Sequence, residues 1–250
     1  MDLNALVTPV ARQTLSADVY KQLRDLLTNG RVMPGEQLSL RSIAEAVGVS
    51  VMPVREAVHR LVAEQALELS STRALRVPVM TVSQFREITC IRINLEGLAT
   101  SLAAARLDPA GLQEIEVLSE RFAREMSSKR PDGSRLIAAN KDLHFAIYQR
   151  AGMPMLLQMI ESLWLRVGPI LNYDLRMGTS RVSDKVPVDH HGRLVAALKK
   201  QDGAAAAEAL RGDIESAADY IVSAGVLVAA DAQPEGLAAL PAPAKARRRG

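Results

Sequence analysis

The stretch Leu38–Leu61 reads LSLRSIAEAVGVSVMPVREAVHRL, and its reading decides the fold. Two short helical patterns flank the tripeptide Gly48-Val49-Ser50. The first places Ile43, Ala44 and Val47 on one apolar face. Gly48 suits the left-handed conformation that ends a helix. Ser50 is a strong N-cap for the next helix, and Pro53 falls in its first turn, where no backbone N–H is needed. Val54, Ala57, Val58 and Leu61 then continue an apolar face at helical spacing. Two helices joined by so tight a turn predict a helix-turn-helix, whose second helix is shaped to enter a DNA major groove.

The flanks complete a small domain. Leu15–Leu27 carries Val19, Leu23, Leu26 and Leu27 at helical spacing, and Asn29–Gly35 breaks that helix with turn residues. After the helix-turn-helix, Leu67 and Leu69, then Leu75, Val77 and Val79, alternate around the polar turn Ser70–Arg73. That pattern predicts a β-hairpin wing. Residues 14–79 are therefore expected to form a winged helix-turn-helix domain, preceded by a flexible arm at 1–13.

Thr81 opens a different region. Thr81-Val82-Ser83-Gln84 fits a capping box. Helical patterns follow at about 82–107, 109–128, 134–151, 154–175, 184–201 and 203–223, separated by Gly, Pro and Asp breaks. Residues 80–225 thus predict an all-helical bundle, and the fold class is mainly α. Beyond Gly225 the chain is rich in Ala, Pro and Gly and ends in KARRRG, which predicts a disordered basic tail at 226–250.

Composition agrees. Apolar residues make up 48% of the 250-residue chain and aromatics only 3%, a balance that favours helix over sheet. The net charge of +3 is small, and the tail supplies +2 of it through Lys245, Arg247, Arg248 and Arg249 against Asp231 and Glu235. DNA binding must therefore rest on local placement of charge, not on bulk charge. The single cysteine, Cys90, excludes an intrachain disulfide and fits a reducing, cytoplasmic setting. The first residues lack the pattern of a signal peptide, and no apolar run approaches the roughly 20 residues that span a membrane.

RVMPGEQL (31–38), the following L-x-x-R-S-I-A and VSVMPVREAVHRL (49–61) resemble the DNA-binding half of GntR-family transcription regulators. The helical half resembles the FadR-type branch, whose C-terminal ligand-binding domain is called FCD. The resemblance covers roughly residues 14–223. It implies a homodimeric regulator that binds a palindromic double-stranded operator with one winged helix per half-site. It also implies control by a small carboxylate effector held in the helical domain, and action as a repressor.

The resemblance places Arg41, at the start of the first helix of the helix-turn-helix, and Arg55, in the recognition helix, on DNA phosphate or bases. Arg is a forked, permanently charged donor suited to both. Surface ion pairs with Glu45 and Glu56 are the plainer alternative. Ser50, Val51 and Met52 share the tip of the recognition helix. Val51 and Met52 stand where the family often carries Arg and Thr; neither can hydrogen-bond a base edge, but both can meet a thymine methyl. The wing has Ala74 where the family usually has Gly, with Arg73 and Arg76 as contacts for backbone or minor groove.

In the helical half, Asn140 and His144 lie at i and i+4 on one face. His191 falls on a later helix and Asp213 on the last. The metal-binding kind of FCD domain places a carboxylate or amide and three histidines at these positions. The resemblance thus implies a divalent metal (Zn, Ni or Mn) on Asn140, His144, His191 and Asp213, with His190 as the alternative to His191. A metal-free polar pocket is the competing reading. Arg92 either pairs with an effector carboxylate or forms a structural i,i+4 pair with Glu96. Arg166 and Tyr173 are further effector candidates, whereas Trp164 and Phe145 read as core.

A metal-dependent hydrolase would leave the winged helix without a purpose, and no Ser or Cys nucleophile motif or Gly-rich phosphate loop occurs. An architectural DNA binder would leave the clustered His and Asp residues without one. The chain is expected to be a regulator, not an enzyme.

Overall fold

A computed structural model describes residues 15–70, 74–171, 173–177 and 180–228. The arm expected at 1–13, Arg73 at the wing tip and the chain beyond Val228 lie outside the described residues. The N-terminal unit comprises α1 (Leu15–Thr28), β1 (Gln37–Leu38), α2 (Leu40–Val47), α3 (Val51–Ala63), β2 (Glu68–Leu69) and β3 (Leu75–Arg76). Ser39 caps α2 by accepting from the Ser42 N–H, and Gly48 ends it at φ 70°. Ser50 is the N-cap of α3 by backbone conformation, but its hydroxyl makes no capping bond. Val19, Leu23 and Leu27 of α1 pack with Ile43, Val54, Val58 and Leu61 in one core.

The wing is larger than the expected hairpin. It is a three-stranded antiparallel sheet in the order β1-β3-β2, with Leu38 opposite Leu75 and Leu69 opposite Leu75 on the other side. The added strand comes from the segment after Pro34-Gly35. Gly35, at φ 80°, turns the chain so that its N–H reaches the Val77 carbonyl at 2.8 Å. Two residues are too short a run to carry an alternation signal of their own.

The helical unit comprises α4 (Val82–Ala104), α5 (Pro109–Met126), α6 (Gly133–Gln149), α7 (Pro154–Leu171), α8 (Tyr173–Met177), α9 (Ser180–Ser183), α10 (Val186–Lys199) and α11 (Gly203–Ser223). The Thr81–Gln84 capping box forms in both directions. Asp108 caps α5 just ahead of Pro109. One long helix was expected over 154–175, and the described residues there are helical from Pro154 to Leu171 (α7) and from Tyr173 to Met177 (α8). Pro169 inside α7 offers no N–H to the Leu165 carbonyl one turn back. Val226–Val228 also departs from the expected tail. The Val228 N–H donates to Met80 at 3.0 Å, and Val228 bridges Thr81 at the entrance to α4.

The two units are not joined by a bare linker. Leu165 of α7 is buried in the winged-helix core. A Cβ on Gly168 would lie 2.6 Å from the Leu27 carbonyl oxygen of α1. Arg24 pairs with Glu161 at 2.8 Å, and Lys141 of α6 donates to the Thr28 hydroxyl at 3.2 Å. Arg176 of α8 donates to the Gly30 carbonyl and reaches the Met33 sulfur at 3.1 Å. The end of α1 is thus gripped by α6, α7 and α8.

Candidate functional site

The expected DNA-facing residues fall on two exposed elements. Arg41 opens α2 and Arg55 lies mid-way along α3, and both are exposed. The ion pairs among the described residues include neither of them, while Arg60, one turn further along α3, is paired with Glu64 at 3.0 Å. Two guanidinium groups held outward without an acidic partner suit a phosphate-bearing ligand. Ser50 is exposed, with its hydroxyl outside the capping role. The two apolar residues at the helix tip diverge: Val51 packs partly against the winged-helix core, whereas Met52 is 61% exposed. Arg76 donates to Glu68 at 2.5 Å across the β2–β3 pair, so reaching a phosphate would require breaking that pair.

The second site is inside the helical unit. His144 on α6, His191 on α10 and Asp213 on α11 converge, with one ligand-capable atom from each lying within 4.8 Å of the others. His144 Nε2 is 3.4 Å and His191 Nε2 3.8 Å from the same oxygen, Asp213 Oδ2. His190 is not the histidine that joins this set; its ring packs against Gly212. Both imidazoles are almost fully buried. His191 lies edge-on to Phe122, with ring centroids 4.6 Å apart, and makes no hydrogen bond through either nitrogen. Burial pushes the His191 imidazole below its usual range despite Asp213 beside it. Burial alone would raise the Asp213 carboxyl, yet the His144 and His191 imidazoles hold it well below the usual carboxylate range. A neutral imidazole beside an ionised carboxylate is donor chemistry suited to a divalent cation. A buried imidazole with both nitrogens orphaned supports the same fit.

Asn140, one turn before His144 on α6, lines the same cavity, together with Arg92, Trp164, Leu171, Leu175 and Arg181. The cavity is partly open to solvent, and its free space is about 30 Å³. A water needs roughly 10–15 Å³, so an ion with a water fits, and a carboxylate metabolite requires a wall to move. Arg92, 3% exposed, forms the i,i+4 pair with Glu96 at 2.7 Å and also faces the cavity. Of its two readings, the structural pair is therefore the one formed. Arg166 and Tyr173 do not line the cavity. Arg181 does, and its guanidinium donates to the Ser216 hydroxyl. Sequence reasoning missed Arg181, because α9 spans only four residues and leaves no periodic signal. Tyr148 was also missed, although it continues the Asn140–His144 stripe by one more turn.

Residues 15–77 match the family described as bacterial regulatory proteins, gntR family, and residues 87–216 match the FCD domain. The chain belongs to the gntR family of bacterial regulatory proteins. It is 36% identical over 189 residues to the HTH-type transcriptional regulator McbR of Escherichia coli K12, covering 76% of this chain and 84% of that protein. It is 30% identical over 210 residues to the HTH-type transcriptional repressor GlaR of the same organism, covering 78% of this chain and 90% of GlaR. The solved structure of E. coli McbR/YncC superposes with a TM-score of 0.78 at 31% identity, over 86% of this chain and all of that one. A gntR-family regulator from Rhodococcus sp. RHA1, at 21% identity and a TM-score of 0.68, shares the fold. This gntR-family protein is accordingly a DNA-binding transcription regulator with an effector-binding FCD domain, and its relatives are regulators rather than enzymes. Among the described residues no helix is long and apolar enough to cross a membrane.

Proposed function

We propose that this regulator binds a palindromic operator as a homodimer and represses from it, and that its FCD cavity holds one divalent metal (Zn, Ni or Mn) on Asn140, His144, His191 and Asp213. A small carboxylate effector joins the metal there and alters operator affinity. The observation that carries the reading is the buried His144–His191–Asp213 cluster, with His191 orphaned at both nitrogens. A bound cation supplies a Lewis-acid centre that a carboxylate oxygen can approach. Arg181, like Arg92, brings a guanidinium to the cavity wall, a group suited to a carboxylate. Repression is supported by the relation to GlaR, which is named a repressor.

The route from cavity to DNA is α7. Trp164 and Leu171 face the cavity, while Leu165 and Gly168 face α1. α8 continues the path, with Leu175 on the cavity wall and Arg176 on the turn after α1. An occupant that moves the α7–α8 wall therefore moves the winged helix.

Dimerisation is assigned to the helical unit. Ile91 and Leu98 on α4 are exposed at 40% and 46%, and Met155 and Met159 on the adjoining α7 at 72% and 51%. Such an apolar face on adjoining helices fits a second copy of the chain. Leu98→Glu is expected to give a monomer in sedimentation velocity and to weaken operator binding; a dimer of undiminished stability would move the interface elsewhere.

Metal content of the purified full chain, measured by mass spectrometry alongside an operator titration with and without chelator, tests the central reading. About one divalent ion per chain, with operator affinity that changes on its removal, is the expected result. Protein that stays metal-free after supplementation overturns it. For the DNA half, Arg55→Ala is expected to cost at least ~1 kcal/mol of operator binding. A gel-shift midpoint equal to the wild type would remove Arg55 from the interface.

A further inference from the structure

A buried polar chain runs from α4 to the His144 imidazole. Arg92 Nε donates to Glu96 Oε1 at 2.7 Å. The Tyr148 hydroxyl lies 2.5 Å from Glu96 Oε2 and 3.0 Å from His144 Nδ1. Glu96 is fully buried and Arg92 nearly so. The four members of this polar chain all lie on α4 and α6 of the helical unit, and a core of this kind could be packed with apolar residues at lower desolvation cost.

The protons along it can be placed by counting. Glu96, ion-paired with Arg92, is a carboxylate and only accepts. The Tyr148 hydroxyl has one proton, and Glu96 Oε2, 2.5 Å away, is a pure acceptor for it. That proton goes to Glu96. The phenol oxygen then accepts, so His144 must carry its proton on Nδ1. Nε2 is left with its lone pair toward Asp213 Oδ2 at 3.4 Å. A divalent cation placed between Nε2 and Asp213 Oδ2 would take up this lone pair and the carboxylate charge together.

We propose that Glu96 and Tyr148 are positioning residues that fix His144 as the Nδ1–H tautomer and so present its Nε2 lone pair to a divalent cation shared with Asp213 and His191. The inference rests on the metal reading above and adds two residues that touch no ligand. Such partners orient a ligating imidazole and raise its basicity, and their loss typically weakens metal binding by about 10–100-fold.

Two variants of the full chain test it, with Zn²⁺ alone as the probe. Tyr148→Phe keeps the ring and removes only the hydroxyl. Zn²⁺ affinity, measured by competition with a chromophoric chelator, is expected to fall at least ~10-fold. Glu96→Gln is sharper. Arg92 is a pure donor and holds the amide oxygen, which turns the amide NH₂ toward Tyr148. Tyr148 must then donate to His144 Nδ1 and force the proton onto Nε2, the ligating side. This near-isosteric change is expected to weaken Zn²⁺ binding by at least as much as Tyr148→Phe.

Nitrogen-resolved NMR of the His144 ring in metal-free wild type at about pH 8, where an ordinary imidazole is neutral, reads the tautomer directly. A proton on Nδ1 supports the relay, and a proton on Nε2 overturns it. Wild-type Zn²⁺ affinity in both variants also overturns it while leaving the metal reading intact. If the wild type binds no Zn²⁺, the metal reading fails, and the ring tautomer alone decides whether Glu96 and Tyr148 fix His144.

Discussion

Gly168→Val is expected to uncouple the winged helix from the effector domain. At this position a Cβ would meet the Leu27 carbonyl oxygen at 2.6 Å and Thr28 Cα at 2.8 Å. Both are backbone atoms at the end of α1, so no side chain can swing aside. The two branch methyls of valine add to the overlap. Relief requires α1 and α7 to separate. That withdraws Leu165 from the winged-helix core and stretches the Arg24–Glu161 pair. Overpacking of this kind costs about 1–3 kcal/mol where neighbours can relax, and a contact between two backbones belongs at the upper end. Each unit keeps its own core, so the cost falls on the contact between them. Calorimetry is expected to resolve two unfolding transitions in place of one cooperative transition. Operator affinity should lose its response to metal and effector while Zn²⁺ binding persists. A single transition at the wild-type temperature would show that α7 is not the tight contact its geometry indicates.

The legible parts of the chain are those where local chemistry and the global fold agree. Gly48 admits the left-handed turn, Ser50 favours a helix N-cap and Pro53 fixes a helical φ, and together they mark the helix-turn-helix without reference to anything distant. The Thr81 capping box and the Asp108-Pro109 start of α5 are local in the same sense. β1 was not legible because its two residues owe their strand state to β3, nearly forty positions later.

The site divides along the same line. Asn140 and His144 share a face by spacing alone. His191 and Asp213 came from the resemblance, and the fold brings them to His144. Arg92 offered two partners in the sequence; the pair with Glu96 is formed, and Arg92 also lines the cavity. Arg166 on α7 and Tyr173 at the start of α8 were further effector candidates, but the residues lining the cavity from this part of the chain are Trp164, Leu171, Leu175 and Arg181.

Asp213→Ala is expected to abolish high-affinity metal binding, and the accompanying loss of stability should be much larger with metal than without it. Asp213 Oδ2 is the one anionic atom facing both His144 Nε2 and His191 Nε2. Its loss leaves two imidazoles and an amide, a set without negative charge to balance a dication. Removing partners that only orient a ligand costs about 10–100-fold, so removing the charged ligand itself is expected to cost more than that. The metal-free protein is a different case. There the carboxylate is a mostly buried charge whose neighbours are imidazoles instead of a full cation, and desolvation offsets much of the attraction. The two imidazoles still hold the carboxyl below its usual range, so metal-free Asp213→Ala should unfold at or moderately below the temperature of metal-free wild type. Added Zn²⁺ should raise only the wild type, by about 2.7 kcal/mol at one hundred times its dissociation constant. A variant that keeps the full Zn²⁺-dependent shift would place the metal elsewhere. A variant that fails to fold without metal would make Asp213 a structural partner of the two histidines, held by a proton rather than a cation.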